Sequence, residues 1–114
     1  VFKVALAGGP VIDWKWYEIM YGERYMDTEA TNPEGFAATS LIPRAKDLKG
    51  KLLICQGAVD NTVVWEHSLS FIEACIKNNV PVDYFPYPTH QHNVVGKDRV
   101  HLMNKVFAYF DDYL

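Results

Sequence analysis

Long apolar runs and clusters of basic residues are both missing from this 114-residue sequence. No stretch approaches the roughly 18 consecutive apolar residues that a membrane helix requires. The formal net charge is −3, so the sequence carries no signal for binding nucleic acid or an acidic membrane surface. By contrast, 49% of the residues are apolar and 14% are aromatic, which is typical of one globular domain with a modest core.

Cysteine is also scarce. Cys55 falls in a predicted buried strand and Cys75 in the helix after it, and neither belongs to a CxxC or Cys/His zinc spacing. We interpret both as reduced core residues, with a disulfide between them as the alternative. His90 and His92 could be two metal ligands, but no third and fourth ligand follow at a sensible spacing. We therefore predict no metal site and no cofactor.

The start of the chain lacks a signal peptide pattern. Val1 rather than Met opens the sequence, a predicted strand begins at once, and no n-region and h-region precede it. We therefore expect residues 1–114 to be a piece of a longer protein. A targeting segment of that protein would not be visible here.

Apolar periodicity predicts three strands that alternate with helical regions. The strands are predicted at residues 2–7, 52–55 and 82–87, and the helices at residues 14–25, 64–78 and from 97 onward. This alternation predicts an α/β fold with about three parallel strands flanked by helices. Pro86 indicates that the last strand lies at an edge of the sheet or ends there. Residues 28–39, punctuated by Asn32-Pro33 and Gly35, are predicted as a loop, and residues 40–46 as a short helical turn.

Two helices carry apolar stripes that we expect to face the core. On the helix at 64–78 the stripe is Trp65, Leu69, Ile72 and Ile76. On the last helix it is Val100, Met103, Val106, Phe107, Phe110 and Leu114. His67 and His101 lie on these helices, and a surface position is the default expectation for each.

Asp60 follows the central strand and His92 follows the next one, 32 residues later. In a parallel sheet both loops open on the same edge, where open α/β sheets place their chemistry, so the two side chains could meet. An Asp that orients a His is two-thirds of a nucleophilic triad. His90 competes with His92 for this role, and a turn or cap residue is the structural alternative for Asp60.

A nucleophile for such a triad is missing. The order Asp then His fits hydrolases in which Ser comes first, within a G-x-S-x-G motif. Ser40, Ser68 and Ser70 all lack the flanking glycines, and the last two fall inside a predicted helix. We therefore expect the nucleophile in a part of the protein that precedes Val1.

Aromatic residues are concentrated before the central strand. Tyr17, Tyr21 and Tyr25 are spaced by four and would share one helix face, with Trp14 one turn earlier and Asp13 as a plausible N-cap. Such a stripe is usually core packing. It is also suited to a pocket wall, since Tyr offers a flat apolar face and a hydroxyl.

Three segments resemble the dipeptidyl peptidase IV branch of the prolyl oligopeptidase family. They are PVIDW at 10–14 with YGERYM at 21–26, LICQGAVDNTV at 53–63, and YP at 87–88 with HNV at 92–94. The resemblance covers essentially the whole chain. It implies that residues 1–114 are the C-terminal portion of the α/β-hydrolase catalytic domain of a serine peptidase.

The resemblance also implies roles for individual residues. Asp60 resembles the triad acid and His92 the triad base. The pocket that holds the penultimate proline ring of the substrate would be lined by Val11, Trp14, Tyr17, Tyr21 and Val63. Tyr25 is left as a packing residue. The implied function is the release of N-terminal di- or tripeptides after proline, with the isolated chain inactive because it lacks the serine.

Further expectations concern the whole protein. The substrate would be a peptide with proline near its N-terminus, and the partners would be the rest of the catalytic domain and a β-propeller. A homodimer through this region and export to the periplasm are also implied by the resemblance.

The sequence departs from the family pattern at three places. Gln56 replaces a structural His, Thr62 replaces an Asn that helps hold the substrate carbonyl, and Asn93-Val94 replaces Gly-Ile or Gly-Phe. The choice between dipeptide and tripeptide release therefore stays open. Two other hypotheses also stay open: another hydrolase of the same fold, such as an acylaminoacyl peptidase or esterase, and a degenerate, non-catalytic hydrolase domain.

Overall fold

Three parallel strands form the centre of the fold, in a computed structural model that describes residues 2–114. The strands are β1 (Val4–Gly8), β2 (Lys51–Gly57) and β3 (Asp83–Tyr87), in the sheet order β1-β2-β3. Each begins and ends within two residues of its predicted bounds. Because all three run in the same direction, their carboxyl ends open on one edge of the sheet.

The central strand β2 is covered on both faces. Ile54 belongs to one core cluster, whereas Leu53 and Cys55 belong to the cluster on the opposite face. This confirms the prediction from its unbroken apolar run. Pro86 lies opposite Gln56 in β3, which within residues 2–114 pairs with β2 alone, as the proline predicts.

Four helices accompany the sheet: α1 (Ile19–Met26), α2 (Pro33–Thr39), α3 (Trp65–Lys77) and α4 (Lys97–Tyr113). Short 3₁₀ turns occupy Trp14–Trp16 and Ile42–Asp47, and the second corresponds to the predicted helical turn at 40–46. The fold is therefore the α/β arrangement that the alternation of strands and helices predicts.

The helix predicted at 14–25 is wrong as one element. Asp13 caps the first 3₁₀ turn by accepting from the backbone N–H of Lys15, but Tyr17 is extended, at φ −79° and ψ 164°. The chain therefore leaves the helical conformation before α1 begins at Ile19. Periodicity alone does not register such a break, because the aromatic spacing continues across it.

The loop predicted at 28–39 is also wrong in its second half, where α2 forms. The Asn32 side chain accepts from the backbone N–H of Gly35 at 3.1 Å, and Pro33 occupies the first turn. An Asn cap followed by Pro is a start signal for a helix. From the sequence alone, we interpret the same Asn-Pro dipeptide as part of a loop.

The stripe predicted for α3 is only partly buried. Trp65 and Ile72 are half-buried, but Leu69 is 46% exposed and Ile76 is 64% exposed. The buried residues of the helix are His67, Ser68, Phe71, Ala74 and Cys75. This face combines the large side chains of His67 and Phe71 with the small ones of Ser68, Ala74 and Cys75. The surface position expected for His67 is wrong, since its exposure is 0%.

The stripe predicted for α4 is likewise only partly buried. Val106 packs inward, but Val100, Met103 and Phe107 are exposed. Leu102 and Tyr109 of this helix pack against the core cluster that contains Leu53 and Cys55. Apolar residues surround much of this helix, so the sequence pattern does not select one face.

Both cysteines are free and buried, which confirms their interpretation as reduced core residues. They lie in the two different core clusters, on opposite faces of the sheet. Burial raises the pKa of the Cys55 thiol to about 11, so it stays protonated at neutral pH. Within residues 2–114, none of the helices is long and apolar enough to cross a membrane.

Candidate active site

Asp60 lies on the turn that leaves β2, and its side chain is 1% exposed. Its Oδ1 atom accepts from the backbone N–H groups of Thr62 and Val63, both at 2.9 Å. These two donors compensate for the burial of the carboxylate and fix its orientation. The other oxygen, Oδ2, is left for a partner from outside the turn.

That partner is His92, on the loop after β3. Its Nδ1 lies 2.9 Å from Oδ2 of Asp60. An ionised carboxylate only accepts hydrogen bonds, so Nδ1 carries the proton and Nε2 is left unprotonated on the neutral ring. The ring is 43% exposed, which leaves room for a second group at Nε2.

The neighbouring His90 is placed elsewhere. Its Nε2 lies 2.7 Å from Oδ2 of Asp98, in the first turn of α4. The structure therefore brings His92, rather than His90, to Asp60, as the sequence predicts. Whether the pair acts in catalysis stays a prediction at this point.

Backbone contacts hold the loops of Asp60 and His92 together. The N–H of Ala58 donates to the Tyr87 carbonyl at 2.9 Å, and the N–H of Val59 donates to the His90 carbonyl at 3.1 Å. A Cβ atom on Gly57 would overlap the carbonyl oxygens of His90 and Gln91. The close approach of the two loops therefore requires glycine at position 57.

The segment that leaves β1 also contacts His92. We call Asp60, His92 and the three loops around them the corner. Gly9 has a φ of +55°, and a Cβ atom there would lie 2.9 Å from Nδ1 and Cε1 of His92. The imidazole thus packs on the bare backbone of Gly9 and on Asp60. Only glycine meets both the conformation and the space at this position.

A cluster of aromatic rings lies on the segment after Gly9. The ring centroids of Trp14 and Tyr17 are 5.2 Å apart, those of Tyr17 and Tyr21 are 5.3 Å apart, and Trp14 stacks on Tyr21 at 6.0 Å. Tyr25 extends the row, 5.1 Å from Tyr21, but it is 67% exposed. The prediction that Tyr25 is a core packing residue is therefore wrong. The only buried residue of α1 is Gly22, so this helix lies on the surface.

The five predicted pocket residues divide into two groups. Trp14, Tyr17 and Tyr21 contact one another, whereas Val63 is buried beside Asp60, whose Oδ1 accepts from its N–H. Val11 is half-buried on the segment after β1. An apolar cavity of about 230 Å³ is lined by Trp14, Tyr21, Gly22, Tyr25 and Met26. Neither valine lines it.

A second cavity, of about 200 Å³, lies beside His92 at the carboxyl ends of the strands. It is lined by residues of β1, β2, the His92 loop and α4, among them Leu6, Gly9, Gln56, Asn93, Arg99 and Met103. The candidate site therefore has open space next to the imidazole as well as next to the aromatic rings.

Sequence reasoning missed a buried polar network behind the site. Gln56 Nε2 donates to the Val63 carbonyl at 2.6 Å, and the Ser68 hydroxyl donates to Gln56 Oε1. Beside them, Nδ1 of His67 accepts from the N–H groups of Ile12, at 3.0 Å, and Asp13, at 3.3 Å. The helical period gives no signal for it, because the exposed Leu69 and Ile76 fit that period as well as the buried Phe71 and Cys75 do.

No three His, Cys, Asp or Glu side chains of residues 2–114 are grouped so that they could hold a metal ion. The chemistry that the corner offers is proton transfer. A buried carboxylate orients an exposed imidazole whose free nitrogen can accept a proton from a nucleophile.

Comparisons with known proteins converge on one family. A model of the prolyl oligopeptidase family matches residues 1–114. The structure of a Bacteroides ovatus protein, described as a "putative dipeptidyl aminopeptidase IV", is 54% identical, with a TM-score of 0.97 over 100% of this chain and 16% of its own. Dipeptidyl peptidase 4 of Porphyromonas gingivalis is 34% identical, with a TM-score of 0.94 over 99% of this chain and 16% of its own.

Curated relatives agree. A Neurospora crassa protein called "Probable dipeptidyl-aminopeptidase B" is 33% identical over 97 residues, which are 82% of this chain and 10% of that protein. The chain thus spans about a tenth of the length of this relative.

Proposed function

This chain belongs to the prolyl oligopeptidase family, and we propose on that basis that residues 1–114 are the C-terminal part of the catalytic domain of a serine exopeptidase. Similar proteins carry the name dipeptidyl peptidase or dipeptidyl aminopeptidase, and the chain matches only 16% of the two solved ones. The proposed whole protein therefore includes the rest of the catalytic domain and further sequence.

The observation that carries the proposal is the contact between His92 Nδ1 and Asp60 Oδ2 at 2.9 Å. In the proposed reaction, Nε2 of His92 takes the proton of a serine hydroxyl as that oxygen attacks the peptide carbonyl. His92 then returns the proton to the leaving amine. Asp60 holds the ring in the required tautomer and stabilises the imidazolium that forms.

The serine of this reaction is proposed to lie outside residues 1–114. All three serine hydroxyls of the chain are engaged elsewhere: Ser40 donates to Asp13, Ser68 to Gln56 and Ser70 to the His67 carbonyl. Ser68 is also fully buried. These contacts support a nucleophile from another segment of the catalytic domain.

The aromatic cluster is the proposed site for a proline ring. Trp14, Tyr17 and Tyr21 present flat apolar faces at mutual distances of 5.2 to 6.0 Å. A flat five-membered ring has favourable contact with such surfaces, and the pocket would lose this contact with differently shaped side chains. The proposed substrate is a peptide with proline near its N-terminus.

The test uses the full-length protein and chromogenic anilides of Gly-Pro and Gly-Ala. We expect cleavage after proline, and a loss of about 10⁶-fold in kcat for His92→Gln, because the general base is removed. His90→Gln is the matched control, two residues away and paired with Asp98, and we expect less than about a threefold change.

Other outcomes separate the alternative hypotheses. Equal loss in the two variants would contradict the assignment of His92. Preferential cleavage of an N-acetylated amino acid anilide would indicate an acylaminoacyl peptidase instead. No hydrolysis of any anilide or ester by the wild-type protein would favour a non-catalytic domain.

A further inference from the structure

The first turn of α3 carries a fully buried histidine that the proposed reaction does not use. His67 has 0% exposure, and its Nδ1 accepts from the backbone N–H groups of Ile12 and Asp13. Both residues are themselves buried and directly precede Trp14. The imidazole thus accepts hydrogen bonds from two backbone N–H groups of the segment that precedes the aromatic cluster.

Only the neutral ring can do this. An Nδ1 atom that accepts N–H donors has no proton, so the proton of the neutral ring is on Nε2. Nε2 has no partner in good hydrogen-bond geometry within residues 2–114, and the Trp16 ring stands perpendicular at 5.7 Å. Burial lowers the pKa of His67, against the opposing influence of the carboxylates of Asp13, Glu66 and Asp60 and of the Trp16 backbone.

The segment that His67 holds is fixed further by Asp13. Its Oδ1 accepts from the backbone N–H of Lys15 at 3.1 Å, and its Oδ2 accepts from the Ser40 hydroxyl at 2.9 Å. These bonds cap the 3₁₀ turn in which Trp14 and Trp16 lie. A shift of Asp13 would therefore move the Trp14 ring and the rings that pack on it.

The same turn of α3 is also linked to the Asp60 loop by a chain of hydrogen bonds. Ser68 donates to Gln56, and Gln56 donates to the Val63 carbonyl at 2.6 Å. The N–H of Val63 in turn donates to Asp60 Oδ1. Two consecutive residues of α3 thus connect the Asp60 loop to the segment that carries the aromatic rings.

From this arrangement we propose that His67 is a positioning residue, which sets the place of the aromatic cluster relative to Asp60 and His92 and thereby the selectivity for proline. The inference rests on the proposed function, since the cluster must bind substrate. It assigns to His67 an effect on substrate selection that a merely structural core histidine would not have.

The test compares variants of the full-length protein. His67→Leu removes the acceptor, His67→Asn keeps an oxygen near the Nδ1 position, and His67→Gln places its oxygen farther along. Cys75→Ala is the control, because it also removes buried volume from α3. Cys75 shares an apolar cluster with Ile12, but His67 is the residue that accepts the hydrogen bonds of Ile12 and Asp13. Three quantities are measured: the Gly-Pro to Gly-Ala ratio of kcat/KM, the rate of inactivation by a small fluorophosphonate, and the Tm.

We expect His67→Leu to lower the proline-to-alanine ratio about tenfold, mainly through a higher KM, as for the loss of buried hydrogen bonds. The fluorophosphonate reacts with the serine without needing the proline pocket, so we expect its rate to stay within about twofold. His67→Asn should restore most of the ratio and His67→Gln part of it. Cys75→Ala should lower the Tm and leave the ratio unchanged.

Two results would overturn the inference alone: an unchanged ratio in an active His67→Leu protein, or an equal loss of fluorophosphonate reactivity and proline hydrolysis. If His67→Leu does not fold, the comparison of His67→Asn with His67→Gln tests the inference. Equal proline-to-alanine ratios in these two variants would overturn the inference. Failure of the wild-type protein to cleave after proline would contradict both the inference and the proposed function.

Discussion

The corner formed by Asp60 and His92 and the aromatic cluster around Trp14 are built in different ways. In the corner, backbone N–H donors fix a buried carboxylate, and glycine lets two loops approach closely. In the cluster, the rings of Trp14, Tyr17 and Tyr21 lie on one another across a 3₁₀ turn, an extended residue and the first turn of α1. The geometry of the corner is therefore set mainly by the main chain, which few substitutions can change. The geometry of the cluster is set by its side chains and by the segment at Ile12 and Asp13 that His67 holds.

The largest effect is expected for Gly57→Ala, which acts on the main chain of the corner. The added Cβ would overlap the carbonyl oxygens of His90 and Gln91, so the two loops must separate. We expect a loss of about 3 kcal/mol or more in the free energy of unfolding, together with loss of hydrolysis. Urea denaturation and anilide assays of the full-length protein measure the two effects.

Gly8→Ala is the control for that prediction. Among residues 2–114, a Cβ at Gly8 meets nothing within 4 Å, so we expect a change within about 0.5 kcal/mol. Similar losses for the two glycine variants would show that the close approach of the loops is not the cause.

A smaller effect is expected for Tyr21→Ala, which removes a ring that contacts both Trp14 and Tyr17. We expect the proline-to-alanine ratio of kcat/KM to fall about 10- to 100-fold, as for the loss of a pocket wall. Reactivity with a fluorophosphonate should persist, because Tyr21 takes no part in the hydrogen bonds that fix Asp60 and His92. Tyr25→Ala, on the exposed end of the row, should change the ratio by less than about threefold.

If Tyr25→Ala and Tyr21→Ala had the same effect, the pocket would instead be the cavity of about 230 Å³ that both tyrosines line. If proline selectivity survived Tyr21→Ala unchanged, the assignment of the aromatic cluster to substrate binding would be wrong.

The smallest expected effect is a pH dependence from His67. Its pKa is lowered in the folded protein by burial, from an ordinary value of 6.5. As the pH falls below 6.5, the unfolded state binds a proton that the folded state does not, so the folded protein loses stability until the pH reaches the lowered pKa. This single group contributes a slope of at most about 1.4 kcal/mol per pH unit.

Chemical denaturation of wild-type and His67→Asn protein, compared between about pH 7.5 and pH 5.5, measures this slope. We expect the wild-type free energy of unfolding to fall more steeply than that of the variant, because Asn does not titrate. Parallel curves would contradict a neutral, buried imidazole at position 67.

Much of the fold and the candidate corner could be predicted from local patterns. The unbroken apolar run before Gly57 predicted a strand covered on both faces, and the structure confirms it. The positions of Asp60 and His92 after successive strands predict that the two side chains could meet, and His92 Nδ1 lies 2.9 Å from Asp60 Oδ2. Both inferences work because parallel strands bring their carboxyl ends to one edge.

Other features could not be predicted in this way. Leu69 and Ile76 match the helical period as well as Phe71 and Cys75 do, so periodicity could not decide which face of α3 is buried. The burial of His67 depends on that face. Likewise, Asn32-Pro33 can either end or begin a structured segment, and the capping bond to Gly35 decides it.

Local patterns in the sequence predict the order of the three strands and of α3 and α4, the parallel sheet, and the residues that follow the strands at its edge, because strand and helix periods are local properties of the chain. Only the tertiary structure decided which of two apolar faces α3 buries, which histidine is enclosed, and how Gly9 and Gly57 let the loops approach. Those outcomes depend on the volumes and hydrogen bonds of segments more than 30 residues apart, such as His67 and Ile12.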